Sequence, residues 1–261
     1  MLDAAVRNAL AADLARAERN RTPISPLTAA QPDIDVVDAY EIQLINIRRQ
    51  VAGGARVVGH KVGLSSPAMQ QMMGVDEPDY GHLLDVMQVF ETEPVPHGRF
   101  LYPRVEVEVA FILADDLPGE GCTEADVMAA TAALAPALEL IDTRITDWKI
   151  ALCDTIADNA SSAGFVLGEA RVAPSDIDVA AIDASLMRNG ELVAQGCSDA
   201  VLGNPATAVA WLARKVESFG VRLKKGDIVL PGSCTRAFDA APGDTFVAEF
   251  SGLGSVGLSF A

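Results

Sequence analysis

The chain has 261 residues, half of them hydrophobic, with 20 Lys and Arg against 36 Asp and Glu, a net charge of −16 at pH 7. Such a chain is globular and buries a sizeable core. An acidic balance without any Lys/Arg cluster excludes nucleic acid as a partner and gives no attraction to an anionic membrane surface. The field of the whole molecule repels an anionic substrate, so a site for one must supply positive charge locally, as a metal and one lysine would. Cys122, Cys153, Cys197 and Cys234 form no Cys-x-x-Cys pair and read as free thiols in a reducing cytoplasm.

Residues 3–19 mix Asp, Glu and Arg through an Ala/Leu pattern at helical spacing, predicting an amphipathic helix rather than a signal peptide. No apolar run is long enough to span a bilayer. A Pro-containing link, 22–32, leads to a second helix over 35–52, opened by Asp35 and Asp38 and stopped by Gly53-Gly54. The texture changes at Arg56. A strand over 56–64, a short helix from Ser66-Pro67 to Gly74, a strand over 104–113, a helix begun by Thr123 and a strand over 137–145 follow. Beyond a strand-like 164–167, Asn189-Gly190 predicts a hairpin turn between 184–188 and 191–194. A helix runs from Asn204-Pro205 to Gly220, then a strand over 227–230 and a last hairpin, 245–250 with 255–260. Strands dominate without a βαβ rhythm, which predicts an α+β chain: a mostly antiparallel or mixed β core with helices outside. Residues 1–55 are expected to form an N-terminal helical portion and 56–261 a β-rich catalytic domain.

In Arg104-Val105-Glu106-Val107-Glu108-Val109 two carboxylates alternate with valines. Residues two apart on a strand share a face, so Glu106 and Glu108 point together and repel unless a cation lies between them. Glu139 is the only charge in the apolar run Pro136-Ala137-Leu138-Glu139-Leu140-Ile141. An all-oxygen ligand set of Glu106, Glu108 and Glu139 suits Mg²⁺ or Mn²⁺ rather than zinc or copper; the alternative is that Glu106 and Glu108 line the wet face of an edge strand. Lys61, between glycines and valines, either serves a site or snorkels to the surface. Asp79, in Pro78-Asp79-Tyr80-Gly81-His82, reads as a loop residue. The small polar stretch Asp158-Asn159-Ala160-Ser161-Ser162 is a turn or a cradle for a carboxylate. Gly252-x-Gly254 lies between strands and is no nucleotide loop, and no Gly-x-Ser-x-Gly elbow accompanies His60, His82 or His97. His60 and His82 are then accessory or structural groups.

Together, Gly59-His60-Lys61-Val62-Gly63-Leu64, Gly74-Val75-Asp76-Glu77-Pro78-Asp79-Tyr80-Gly81, Glu106-x-Glu108, Ala137-Leu138-Glu139, Asp147-Trp148-Lys149-Ile150 and Asp158-Asn159-Ala160-Ser161-Ser162 carry a resemblance. The pattern, continued by Val201-Leu202-Gly203-Asn204-Pro205 and Gly252-Leu253-Gly254-Ser255, is similar to the 2-keto-4-pentenoate hydratase family of the fumarylacetoacetate hydrolase fold. The resemblance implies a mixed β-sheet roll, a Mg²⁺ or Mn²⁺ held by Glu106, Glu108 and Glu139, and active-site roles for Lys61, Asp79 and Ser161. It implies hydration of a small-molecule 2-hydroxydienoate substrate, of penta- or hexadienoate length, in aromatic or steroid ring breakdown. A homo-oligomer and a contact with the downstream aldolase are further expectations. Gly232-Ser233-Cys234-Thr235-Arg236 is similar to the hydratases rather than to the sister 4-oxalocrotonate decarboxylases. The alternatives are such a vinylogous decarboxylase, or a non-catalytic partner subunit of a degradative enzyme.

Overall fold

The computed structural model describes the backbone of residues 1–261 and every side chain except that of Met72. Helix α1 (Ala4–Asn20) starts where the Asp3 carboxylate accepts the Val6 N–H and stops at left-handed Arg21. The single turn α2 (Leu27–Ala30) leads to α3 (Val36–Ala52), opened by a capping box of Asp35 and Asp38. Asp38 is buried and also receives the Leu2 N–H and the Arg7 guanidinium, which ties α1 to α3.

From there strands alternate with short helices. In chain order they are β1 (Val57–Gly63), α4 (Pro67–Met73), β2 (Asp79–Leu84), β3 (Arg104–Leu113), α5 (Glu124–Ala130), β4 (Thr131–Ile141), α6 (Leu152–Ala157) and β5 (Ser162–Leu167). The rest comprises β6 (Asp183–Arg188), β7 (Glu191–Cys197), α7 (Pro205–Glu217), β8 (Ile228–Leu230), β9 (Phe238–Asp239), β10 (Thr245–Phe250) and β11 (Gly254–Ser259). One sheet runs β2-β1-β8-β3-β4-β5 with β9 beside β3; a second runs β11-β10-β6-β7. All pairings are antiparallel except β1 with β8, so the main sheet is mixed. The expected α+β class and curled mixed sheet are what the chain adopts. No helix among the described residues is long and apolar enough to cross a membrane, and all four cysteines are free.

The alternation in β3 divides the main sheet into two environments. Val105, Val107 and Val109 face the larger core, shared with Leu10, Leu14 and Tyr40 of the N-terminal helices and with Phe246 and Val256 of the second sheet. The other face closes on itself where β5 approaches β2, around Leu83, Met87, Ala110, Ala135, Ala137, Phe165 and Leu230. This concave face also carries Lys61, Glu106, Glu108 and Glu139, because Glu106 pairs with Glu139, Glu108 with Ala137, and Lys61 with Leu230.

Two expectations need correction. The strand expected from Ala137 begins at Thr131, directly after α5, and ends at Ile141 rather than 145. Its Ala-rich start has no strand signature of its own; pairing along the whole of β3 imposes the conformation. Asp79 is not in a loop but is the first residue of β2, opposite Gly63 of β1.

The segment after α6 is anchored by a buried ion pair. The Arg144 Nε donates to Asp158 Oδ1, its N–H reaches Asp158 Oδ2 at 2.9 Å, and its Nη2 donates to the Asp158 carbonyl at 2.6 Å. Arg144→Met should leave the Asp158 charge buried and unpaired and lower unfolding free energy by about 3–5 kcal/mol, whereas the double variant Arg144→Met/Asp158→Leu should recover most of it. Urea unfolding followed by circular dichroism measures both, and a double variant as unstable as the single would contradict the account.

Candidate metal centre and active site

On the β3–β4 ladder Glu106 and Glu139 are directly opposed, and Glu108 is two residues along the same face. One oxygen from each of the three carboxylates lies within 4.8 Å of the others. Glu108 and Glu139 are fully buried and Glu106 is 8% exposed. Glu108 Oε2 accepts the Gly232 N–H at 2.7 Å, but Glu108 Oε1 and both oxygens of Glu139 receive no hydrogen bond. Gly232 has φ +123°, and a side chain there would run into Ser65, so a glycine is required where the backbone turns to meet Glu108.

Among the described residues the cation in contact with this cluster is Lys61, itself buried. Its Nζ lies 3.3 Å from Glu139 Oε2, an ion-pair contact without hydrogen-bond alignment, and donates to the Ala160 carbonyl at 3.0 Å. Burial opposes the lysine's charge, but Glu139, Glu106, Asp79 and Glu108 more than offset this and hold its ammonium above the ordinary range. One lysine cannot balance three carboxylates. Burial pushes the Glu106 carboxyl up to about 7 against the pull of Lys61, and burial with repulsion from Glu139 and Glu106 pushes Glu108 well above the usual range. Three converging, buried carboxylates, two of them with unpartnered oxygens, fit a hard divalent cation, which would reverse that trend and hold all three groups ionised.

Asp79 reaches the same place from β2. A side chain at Gly63 would come within 2.2 Å of Asp79 Oδ1 and 3.4 Å of Lys61 Nζ, so this glycine in the Gly59–Gly63 strand makes room for both groups. Asp79 Oδ1 has no partner, and burial raises its carboxyl above the usual range despite the neighbouring Lys61. Asp79 Oδ2 accepts from Thr155 Oγ1 at 3.4 Å, and that hydroxyl lies 3.3 Å from Ser161 Oγ.

Ser161 ends a turn in which Asn159, Ala160 and Ser161 are all left-handed, with φ of 57°, 49° and 58°. Residues with a Cβ reach this region only when surroundings enforce it. Here the Asn159 amide accepts the His82 N–H at 2.8 Å and donates to the His82 carbonyl at 2.9 Å, clamping the turn onto β2. Arg144 and Asp158 hold its other end. The turn thereby aims the Ala160 carbonyl at Lys61 and places Ser161 in the pocket.

That pocket is lined by Lys61, Asp79, Glu106, Thr155 and Ser161, by the further hydroxyls of Ser65 and Ser233, and by the apolar Leu64, Met69, Ile141, Trp148 and Ile150. All six residues singled out in the sequence, Lys61, Asp79, Glu106, Glu108, Glu139 and Ser161, therefore come together. Glu108 and Glu139 lie behind Glu106. His60 and His82 do not join them: they sit on the opposite face of β1 and β2, rings 4.9 Å apart, buried. Burial holds both neutral, His60 well below the usual imidazole range and His82 down to about 4. A larger hollow behind the 159–162 turn, rimmed by Arg19, Arg49 and Arg99, contains none of the orphaned carboxylates and is not the reactive site. Sequence reasoning missed Thr155, which links Asp79 to Ser161, and the clamping role of Asn159. Both depend on how α6 and the turn meet β2, which no local pattern reports.

Residues 65–260 match the family model described as fumarylacetoacetate (FAA) hydrolase C-terminal. The chain is 42% identical over 254 residues to a 2-keto-4-pentenoate hydratase of Paraburkholderia xenovorans (strain LB400), covering 97% of this chain and 94% of that protein. It is 41% identical over 249 residues to a 2-hydroxyhexa-2,4-dienoate hydratase of Comamonas testosteroni, covering 95% and 94%. Among solved structures, the 4-oxalocrotonate decarboxylase of Pseudomonas putida G7, complexed with magnesium and adipate, superposes with a TM-score of 0.97 at 34% identity, over 100% of this chain and 99% of that one. By its fold, its site and its likeness across nearly all its length, the chain belongs to the 2-keto-4-pentenoate hydratase family of the fumarylacetoacetate hydrolase fold.

Proposed function

We propose that the protein is a metal-dependent hydro-lyase that adds water to a 2-hydroxyalka-2,4-dienoate, penta- or hexadienoate, to give a 4-hydroxy-2-oxoalkanoate. The observation that carries this reading is the convergence of three buried carboxylates, with both oxygens of Glu139 and one of Glu108 lacking hydrogen-bond donors, beside the lysine and the aspartate of the pocket. Glu106, Glu108 and Glu139 would hold Mg²⁺ or Mn²⁺, as oxygen donors suit a hard ion. When bound, the ion supplies Lewis-acid stabilisation of an enolate.

The chain's own groups do the rest. Ser161 Oγ, set by Thr155 and the strained turn, holds the substrate carboxylate and so fixes the dienol relative to Lys61 and Asp79. Lys61 and Asp79 carry the proton transfers: C5 gains a proton as the 2-hydroxyl loses one, giving a 2-oxo-3-enoate. Conjugation makes its C4 electrophilic, and water adds there while C3 takes a proton. The product is a β-hydroxy ketone, the substrate form of a retro-aldol cleavage, which supports hand-over to an aldolase in the breakdown of aromatic or steroid rings. The four free thiols support a reducing, cytoplasmic setting, and a homo-oligomer is the assembly we expect.

A hydratase and a vinylogous decarboxylase share the enolate and differ in product. Chelator-stripped protein should not consume 2-hydroxypenta-2,4-dienoate until Mg²⁺ or Mn²⁺ is restored, and the product should then be heavier by one water. Loss of CO₂ from a 2-oxo-enedioate, with no hydration of dienoates, would assign it to the decarboxylases.

Glu108→Gln should weaken Mn²⁺ binding by at least about 100-fold, since even indirect partners of metal ligands are worth about 10–100-fold. Calorimetric titration reads this directly, and unchanged affinity would remove Glu108 from the ligand set. Lys61→Ala should lower kcat by about 10²–10⁴ while metal affinity stays within a few-fold. A variant that merely unfolds, or one that keeps full kcat, would make Lys61 structural.

A further inference from the structure

The larger hollow behind the 159–162 turn has a volume of about 390 Å³, inside the span of roughly 300–1,000 Å³ usual for small-molecule sites. Five arginines and three acids line it, so its wall carries an excess of positive charge in a chain whose net charge is −16. Two of the acids are engaged: Asp158 is paired with Arg144, and Asp142 accepts the Leu101 and Tyr102 N–H groups at 2.9 and 2.6 Å. Arg144 is thereby spent, and Arg21 donates to the carbonyls of Gly98, Glu18 and Arg19. Among the described residues Arg19, Arg49 and Arg99 enter no ion pair. Arg49 gives one hydrogen bond to Asn46 Oδ1 at 2.8 Å and Arg99 one to the Val86 carbonyl at 2.9 Å, so most of their N–H donors stay available. The inner wall adds Ser162, buried, whose Oγ has no hydrogen-bond partner.

Arg19 and Arg49 come from the last turns of α1 and α3, where a cation is favoured. That accounts neither for Arg99 nor for three unpaired guanidiniums around one hollow, which repel one another unless an anion lies between them. We infer that the hollow is a second ligand site, for a small organic dianion whose charge, a phosphate or a pair of carboxylates, sits on an apolar body. Guanidinium forks match either oxyanion with paired hydrogen bonds, Ser162 Oγ offers a further donor, and Leu14, Ile47, Met87 and Phe100 supply an apolar wall for the body. The 159–161 turn separates this site from the carboxylate cluster, so the inference goes beyond the hydratase reading and does not rest on it.

The test is calorimetric titration of the full chain with Mg²⁺ at low ionic strength, using phenyl phosphate and benzene-1,3-dicarboxylate as probes and inorganic phosphate for comparison. At least one aromatic dianion should bind with a Kd at or below about 1 mM, and the tighter of the two names the charged group. It should bind about tenfold or more tightly than inorganic phosphate, because its ring is buried against the apolar wall. Arg49→Gln and Arg99→Gln, both at exposed positions, should each weaken it about tenfold or more. Glu108→Gln, which alters the carboxylate cluster on the other side of the turn, should leave it unchanged. No saturable binding of either probe overturns the inference, as does inorganic phosphate binding equally well or affinity unmoved in both arginine variants. Binding lost in Glu108→Gln and kept in the arginine variants would place the anion on the metal centre and overturn it too.

Discussion

Three carboxylates share one dehydrated patch of sheet with a single lysine, and much of the molecule is arranged around that imbalance. Like charges at such separation, cut off from water, are costly unless protonated or neutralised. Replacing any of these glutamates by an apolar residue would be the obvious way to stabilise the roll. The polar patch persists in a face otherwise built from Leu83, Ala110, Ala137, Phe165 and Leu230, a local conflict of the kind found where function overrides packing. The overall charge of −16 sharpens the point, since the field of the molecule adds nothing to attract an anion and the site must do so alone.

The fold supplies that site from separate stretches of chain. Paired strands β3 and β4 deliver the three glutamates in fixed register; β1 and β2 deliver Lys61 and Asp79 across Gly63; α6 and the 159–161 turn deliver Thr155 and Ser161. The first two groups sit on paired strands. The third depends on a strained turn held by Asn159 and by the Arg144–Asp158 pair, so the side of the site that positions substrate is the side most exposed to small shifts in packing. The second sheet covers the opposite face, where Val105, Val107 and Val109 anchor β3 in the main core.

Legibility in the sequence followed how local each cause was. The alternation of Glu106 and Glu108 with valines, the isolation of Glu139 in an apolar run and the caps at Asp3, Asp35, Ser66, Thr123 and Asn204 are local, and the elements they mark formed. The opposition of Glu106 and Glu139 is a matter of register, which neither strand specifies alone. Asp79 looked like a loop residue because Pro78 and Gly81 flank it, and only pairing with Gly63 makes it strand. The Ala-rich residues at the start of β4 carry no period at all. Thr155 and Asn159 act through contacts with β2 far along the chain, and the family resemblance pointed to Ser161 without indicating what holds it.

The central claim is that Glu106, Glu108 and Glu139 hold a divalent ion, and anomalous scattering from crystals of the protein grown with Mn²⁺ tests it most directly. The account predicts one strong Mn²⁺ peak bounded by these three carboxylates beside Lys61. A peak elsewhere with this cluster empty, or no ordered ion at saturating Mn²⁺, would contradict it.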